Sequence, residues 1–328
     1  MRILAAPDKF RGTATASEVA GAIAAGAREA RARVHQVPLS DGGEGFAEVF
    51  GGANKVSIVT GPLGDPVPAG WRLSGRTAVI EMAQASGLAL VGGAEGNDPL
   101  AASTMGTGQL IGEALDAGAR RIFVGHGGSA TTDGGLPALQ AMFPTARLRG
   151  VELIAAVDVG CTFVAAAERF APQKGATPSQ VLLLTRRLER LAQVYREDHG
   201  VDVTELWGSG AAGGLAGGLA AVGASIVSGF ELIADELDLA ASMEEADLVV
   251  TGEGFVDDGS FDGKVVGGVV ELAAEVGVPV LVIAGEVFDA VADRVDAVSL
   301  VERFGRERAL ADATGCIAEV VAAHLAAG

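Results

Sequence analysis

Apolar and polar positions along this chain fall into two alternating kinds of segment. Short β-branched runs at 3–6, 34–37, 55–59, 78–82, 121–125, 151–157, 248–251 and 280–284 read as buried strands. Between them, Ala- and Glu-rich stretches at 17–33, 106–117, 178–195, 263–275 and 315–327 carry apolar residues at helical spacing. Ser17 is the expected N-cap of the first helix, and Pro178 sits in the first turn of the long one. Strands alternating with helices predict an α/β fold with mostly parallel sheets, in which ligands gather beyond the carboxyl ends of the strands. Pro62, Pro66 and Pro68 punctuate a turn region that is the expected site of a domain crossing.

A length of 328 residues exceeds what one core usually holds, so two domains are expected. The composition, 49% hydrophobic and 20% charged, is that of a globular chain. A formal net charge of −18 without a Lys/Arg cluster argues against a nucleic-acid partner. The nearest approach to a cluster is Arg186, Arg187 and Arg190, spaced for the exposed side of one helix. An acidic protein that binds an anion must use local backbone donors, a few basic side chains or a metal. Cys161 and Cys316 lie far apart, which argues against a disulfide framework or a structural zinc site. No run reaches the ~18 apolar residues of a membrane helix, and the first residues enter a strand directly, too short an apolar stretch for a signal peptide. The expectation is a cytoplasmic protein with a small-molecule substrate and no membrane partner; self-association into a homodimer is compatible with the sequence.

The chemistry-bearing residues sit in loops that follow strands. The most unusual is Gly125-His-Gly-Gly-Ser-Ala-Thr-Thr-Asp-Gly-Gly135, where glycines allow backbone N–H groups to turn toward an anion. Gly127, Gly128, Ser129 and Thr131 are its candidate ligand contacts, and Asp133 its candidate acid. The first loop, residues 6–13, offers Asp8 with the cations Lys9 and Arg11, a mixture that phosphoryl transfer needs. Asp41, Gly42 and Glu44 follow the second strand, where capping of a helix is an equally good reading. Ser86, Thr104 and Thr107 supply hydroxyls near helix starts. Asp158 ends a strand, and a buried acid there needs a partner or a metal; Lys174 is a candidate for that partner or for a phosphate. Residues 208–213 match G-x-G-x-x-G but lack a clean preceding strand, so NAD-dependent redox chemistry is a minor alternative. The acidic loop from Thr251 contains Glu253, Asp257, Asp258, Asp262, Gly263 and Lys264. Its tail is one residue short of a P-loop, and Val265 stands where a magnesium-binding Ser or Thr belongs.

Read together, these loops resemble the glycerate kinase family of the bacterial, non-P-loop class. The matching stretches are 6–13, 40–45, 60–67, 81–88, 104–108, 127–135, 172–177, 210–214 and 251–254, in the family's order. The resemblance implies ATP-dependent phosphorylation of a glycerate hydroxyl with Mg²⁺. It implies two α/β domains: a three-layer, mostly parallel domain from both chain ends, 1–68 and 245–328, and an inserted domain, 69–244, with the active site in the cleft between them. In this reading Asp8 is the base or metal-positioning acid, with Asp133 and Asp158 as rivals, and Asp257 holds the metal. Arg11, Lys174 and Lys264 offset phosphate charge, while the 127–135 loop, Gly210 and Gly213 present backbone donors. The chain departs from the family pattern at Arg11 (for Lys), Thr132 (for Asn), Val159–Thr162 (for an Asn-Pro-Leu run) and Phe255 (for Arg), and is shortened between Gly135 and Asp158. These departures leave open a relative that binds a nucleotide or another hydroxy acid with altered catalysis.

Overall fold

The computed structural model describes residues 1–261, 264–288 and 297–327. The chain divides into two compact units, Met1–Asp41 with Phe230–Gly328, and Gly42–Gly229. The boundaries thus fall earlier than the expected 68 and 245. The reason lies in the prolines: Pro66 and Pro68 begin a strand of the second unit's sheet rather than a crossing turn.

The first unit is built on a five-stranded sheet, ordered β11-β10-β9-β1-β2, with every pairing parallel. Its strands are β1 (Arg2–Ala5), β2 (Arg33–Gln36), β9 (Leu248–Val256), β10 (Val280–Val287) and β11 (Ala297–Ser299). Period-two alternation places the two faces of β10 in different cores. Leu281 and Ile283 pack with Ile3, Val19, Ile23 and Val320 on the side of helices Ala16–Glu29 and Ala313–Ala327. Val282 and Ala284 pack with Val266 of helix Val265–Val276 on the other. Helices on both faces make the unit three-layered, as expected. The first helix is capped by Thr15 rather than Ser17. Thr15 and Glu18 form a complete capping box, each side chain accepting the other's backbone N–H.

The second unit carries a six-stranded sheet in sequence order, β3 (Lys55–Thr60), β4 (Pro66–Ser74), β5 (Thr77–Glu81), β6 (Arg121–Gly125), β7 (Glu152–Val157) and β8 (Ser225–Ser228). β3-β4-β5 is an antiparallel meander and the remaining pairs are parallel. Ile80, Ile122 and Val124 join Leu110 and Ile111 of helix Met105–Asp116, and Leu184 and Leu188 of helix Pro178–His199, in one core. Among the described residues no helix is long and apolar enough to cross a membrane.

Candidate active site

In the first unit, β1 and β9 run side by side, with Ala5 opposite Val250. Their outgoing loops stay joined past the sheet: Asp8 N–H donates to the Gly252 carbonyl (2.9 Å), and the Thr251 hydroxyl donates to the Ala6 carbonyl (2.7 Å). Gly252 must lack a side chain, since a Cβ there would lie 1.9 Å from the Ile283 carbonyl oxygen on β10. This brings Asp8, Lys9, Arg11, Asp41, Glu253, Asp257 and Lys264 around one cavity of about 140 Å³. Six of these residues were expected at a site from sequence; Lys9 was only noted as a charge in the first loop. The acidic loop's Asp262 and Gly263, with the expected helix start at 263, lie outside the described residues, as does the side chain of Asp258.

Four acids and three cations share the cavity. Lys9 Nζ lies 3.6 Å from Asp8 Oδ1 and 3.8 Å from Asp41 Oδ1, so one ammonium serves two buried carboxylates. Burial, then the Asp41 charge, pushes the Asp8 carboxyl up to about 6, although Lys9 pulls the other way. Burial likewise raises Glu253 to about 7, and its Oε1 has no hydrogen-bond partner. Asp257 is exposed at the cavity edge and caps the turn at Asp258–Phe261, accepting from Ser260 N–H at 3.1 Å. The acids supply only oxygen donors. Among the described residues they form no group of three able to cage a metal ion.

In the second unit the loop after β6 is organised by donors that reach its carbonyls from behind. Lys174 Nζ donates to Thr131 O and Ser129 Oγ, both at 2.7 Å. Asn97 Nδ2 donates to Ala130 O (3.0 Å), Tyr195 OH to Gly134 O (2.8 Å), and Leu88 N–H to Gly128 O (2.8 Å). The Asp133 carboxylate accepts from Thr104 N–H (2.7 Å), Thr104 Oγ1 (2.9 Å) and Gly135 N–H (3.0 Å). With the carbonyls occupied, the N–H groups of Gly128, Ser129, Thr131 and Thr132 have no protein acceptor among the described residues. Four such donors in one loop, with Gly128 in the left-handed region at φ 68°, are a candidate anion nest.

Several expected ligand contacts prove to be braces for this loop. The Lys174 amine is committed to it, and burial lowers its pKa to about 7 against the pull of the Asp133 charge. Burial raises the Asp133 carboxyl, and its hydrogen bonds from Gly135 and Thr104 hold it back. Ser86 and Thr107 are buried and satisfy one another at 2.9 Å. Thr104 Oγ1 also accepts from Ala138 N–H. Gly210 and Gly213 sit where the backbone packs closely on neighbouring loops. Gly210 N–H donates to Cys161 O, and a Cβ on Gly213 (φ 68°) would fall 2.0 Å from Thr131 O. Without a strand before them, residues 208–213 also lose the dinucleotide reading. Gly127 must be glycine because a Cβ would meet Gly43 Cα at 2.4 Å; Gly42 is buried at φ 93°, and Glu44 is exposed. Asp158 is half-buried just past β7. His126 is buried and neutral, its pKa lowered by burial to about 4. Sequence reasoning did not single out Asn97 or Tyr195. Tyr195 falls at the helical spacing of Leu184, Leu188 and Ala192 and so reads as core.

A cavity of carboxylates and cations at the ends of parallel strands, in a chain without a Walker P-loop, has the groups that phosphoryl transfer of a non-Walker type uses. The comparison with known families is specific: the profile described as "Glycerate kinase family" matches residues 3–143 and 144–325, and the chain belongs to that family. The two matched stretches meet at Phe143 and Pro144, inside the shortened segment. The chain is 40% identical over 329 residues to glycerate 2-kinase of Escherichia coli (88% of this chain, 86% of that protein). It is 37% identical over 332 residues to a glycerate kinase of Bacillus subtilis (88% and 85%). A solved glycerate kinase 2 from Salmonella typhimurium LT2 superposes with a TM-score of 0.83 at 37% identity, covering 100% of this chain and 98% of that one.

Proposed function

We propose that this protein is a glycerate kinase, transferring the terminal phosphoryl group of ATP to the 2-hydroxyl of glycerate. The observation that carries the reading is Asp8, a buried carboxylate raised to about 6 at the ends of β1 and β9, with Lys9 and Asp41 beside it. Near pH 7 it is ionised yet basic enough to accept the proton of an attacking hydroxyl. As that proton moves to Asp8, the hydroxyl oxygen bonds to the γ-phosphorus. The bond to the β,γ-bridging oxygen breaks, and its electron pair leaves with ADP. Lys9, Arg11 and Lys264 offset phosphate charge. Asp257 and Glu253 are the residues fitted to hold Mg²⁺, which when bound neutralises charge on the phosphates.

The choice of the 2-hydroxyl rests on the E. coli relative named glycerate 2-kinase. A coupled ADP-release assay over D-glycerate, L-glycerate and other small hydroxy acids tests the activity, and ³¹P NMR of the product tests the position. Turnover on D-glycerate giving 2-phosphoglycerate is expected. ADP release with none of the acids would overturn the reading, and a 3-phosphoglycerate product would overturn the regiochemistry.

A further inference from the structure

Strand β3 forms one edge of the six-stranded sheet, and from Val56 to Val59 that edge carries neither a charge nor a proline. Natural sheets usually protect such an edge, because its unpaired N–H and C=O groups invite another strand. Val56 and Ile58 are 71% and 69% exposed on one face, and Pro68, opposite Ile58 on β4, is exposed beside them. Ser57 and Val59 are buried on the other face. The pairing decides which backbone groups point outward. Pro66 and Pro68 have no N–H, and Gly61 N–H donates to Asp65 O just beyond the strand (2.7 Å). Ser57 and Val59 therefore make the two-way bonds to β4, while Val56, Ile58 and Thr60 turn their N–H and C=O groups outward. At Thr60 the edge is already closed by helix Met105–Asp116. Gln109 Oε1 accepts the Thr60 N–H (2.7 Å), and Gly106 packs so closely that a Cβ would lie 2.2 Å from the Thr60 carbonyl oxygen. Val56 and Ile58 are left with four outward groups, and no loop backbone among the described residues bonds to them.

Such groups, two residues apart, are self-complementary. We propose that β3 pairs with β3 of a second copy of this chain, antiparallel about a two-fold axis at Ser57, joining the two sheets into one. In this register Val56 of each copy exchanges both backbone bonds with Ile58 of the other, and all four groups are used. A shift that set Ile58 opposite itself would put Val56 against Thr60, whose groups the helix has taken. On the exposed face the two Val–Ile pairs meet as a cluster of β-branched side chains. On the other face Ser57 donates to Glu113, and Lys55 stands two residues away; among the described residues neither Lys55 nor Glu113 forms an ion pair. Pairing sets each Lys55 diagonally across from Ser57 of the other copy, and so toward that copy's Glu113. Lysines and glutamates then alternate across the axis. A contact of this isologous kind closes on itself and stops at a dimer.

Sedimentation velocity from about 1 to 200 µM tests the pairing, since one strand edge lies at the low end of interface sizes and micromolar dissociation is expected. Wild type should pass from monomer to dimer across this range. Val56→Lys/Ile58→Lys puts like charges opposite one another while both side chains still point to solvent. It should stay monomeric where wild type is mostly dimer, with kcat and KM unchanged. Oxidation with copper phenanthroline tests the register. Cys161 and Cys316 are buried, so added thiols report alone. Cα atoms of a hydrogen-bonded pair lie about 5.5 Å apart, within disulfide reach. A mixture of Val56→Cys and Ile58→Cys chains should therefore give a covalent dimer. Either chain alone should not, because its thiols stand two residues out of register. Wild type that stays monomeric to about 200 µM, a dimer that survives in the double-Lys variant, or cross-linking of either Cys chain alone as fast as of the mixture would overturn the inference.

Discussion

Lys174 Nζ donates at 2.7 Å to the carbonyl oxygen of Thr131, and that contact ties the Gly-rich loop to a buried side chain 43 positions away. The lysine is 3% exposed, and the ammonium finds its partners in the loop itself, Thr131 O and Ser129 Oγ. Lys174→Met should leave the Thr131 carbonyl buried without its donor, costing about 1–3 kcal/mol of stability, and should raise KM for the anionic substrate. The pH dependence has a definite sign. The Lys174 pKa falls from 10.5 to about 7 on folding. Between those values the unfolded chain binds more protons, so stability from this group rises with pH through that window and is lost below about 7. Thermal melts at pH 6.5 and pH 9 should show this rise in wild type and a smaller one in Lys174→Met.

Asp8→Asn should lower kcat by about 10²–10⁴-fold, the usual contribution of a positioned general base, with little loss of fold. In wild type, kcat/KM should increase as pH climbs through about 6, where Asp8 loses its proton. A pH profile flat from 5 to 8 would assign the proton transfer elsewhere.

Gly213→Ala sets two costs together. The residue has φ 68°, and its new Cβ would overlap Thr131 O at 2.0 Å. Gly223→Ala has only the first cost, since its φ is 101° and nothing lies within 4 Å. Gly223→Ala should therefore lose about 1–2 kcal/mol and keep its activity. Gly213→Ala should lose clearly more stability and also activity, because the nest itself is displaced. Chemical denaturation and the ADP-release assay separate the two.

Tyr195→Phe removes one hydroxyl from a buried ring whose burial, with the Asp133 charge, pushes the phenol's pKa upward. The loss of its bond to Gly134 O should cost about 1 kcal/mol. Amide exchange at Gly134 and Gly135 should speed up more than at the distant β3.

Much of this architecture is legible in the chain because strands and site residues share a signal. Asp8 and Asp41 lie in the loops that follow β1 and β2, and Glu253 stands between two glycines in the outer half of β9, so the strand signal and the site signal adjoin. Proline hides β4. Pro66 and Pro68 read as a turn, yet they lie opposite Thr60 and Ile58 in an antiparallel pair and leave the ladder workable. That single misreading moves the first unit boundary from 68 to 41. The first helix cap slips for a similar reason: Thr15 and Ser17 are both hydroxyls, and only Thr15 has Glu18 three residues on. The braces of the nest are illegible for a different cause. Asn97, Lys174 and Tyr195 come from three separate segments and meet on one loop only in the folded unit.

β1 takes one neighbour from the start of the chain and the other from residue 248 onward, and the Thr251–Ala6 bond spans 245 positions. A chain growing on the ribosome therefore carries its first strand unfinished through most of synthesis, with one edge open and Asp8 unassembled. The Gly42–Gly229 unit, contiguous in sequence, has all its strands by Ser228, before β9 begins at Leu248. Truncated chains that stop short of β9 should accumulate with that unit folded and the acidic cavity absent, so the last third of translation decides when the protein acquires its chemistry.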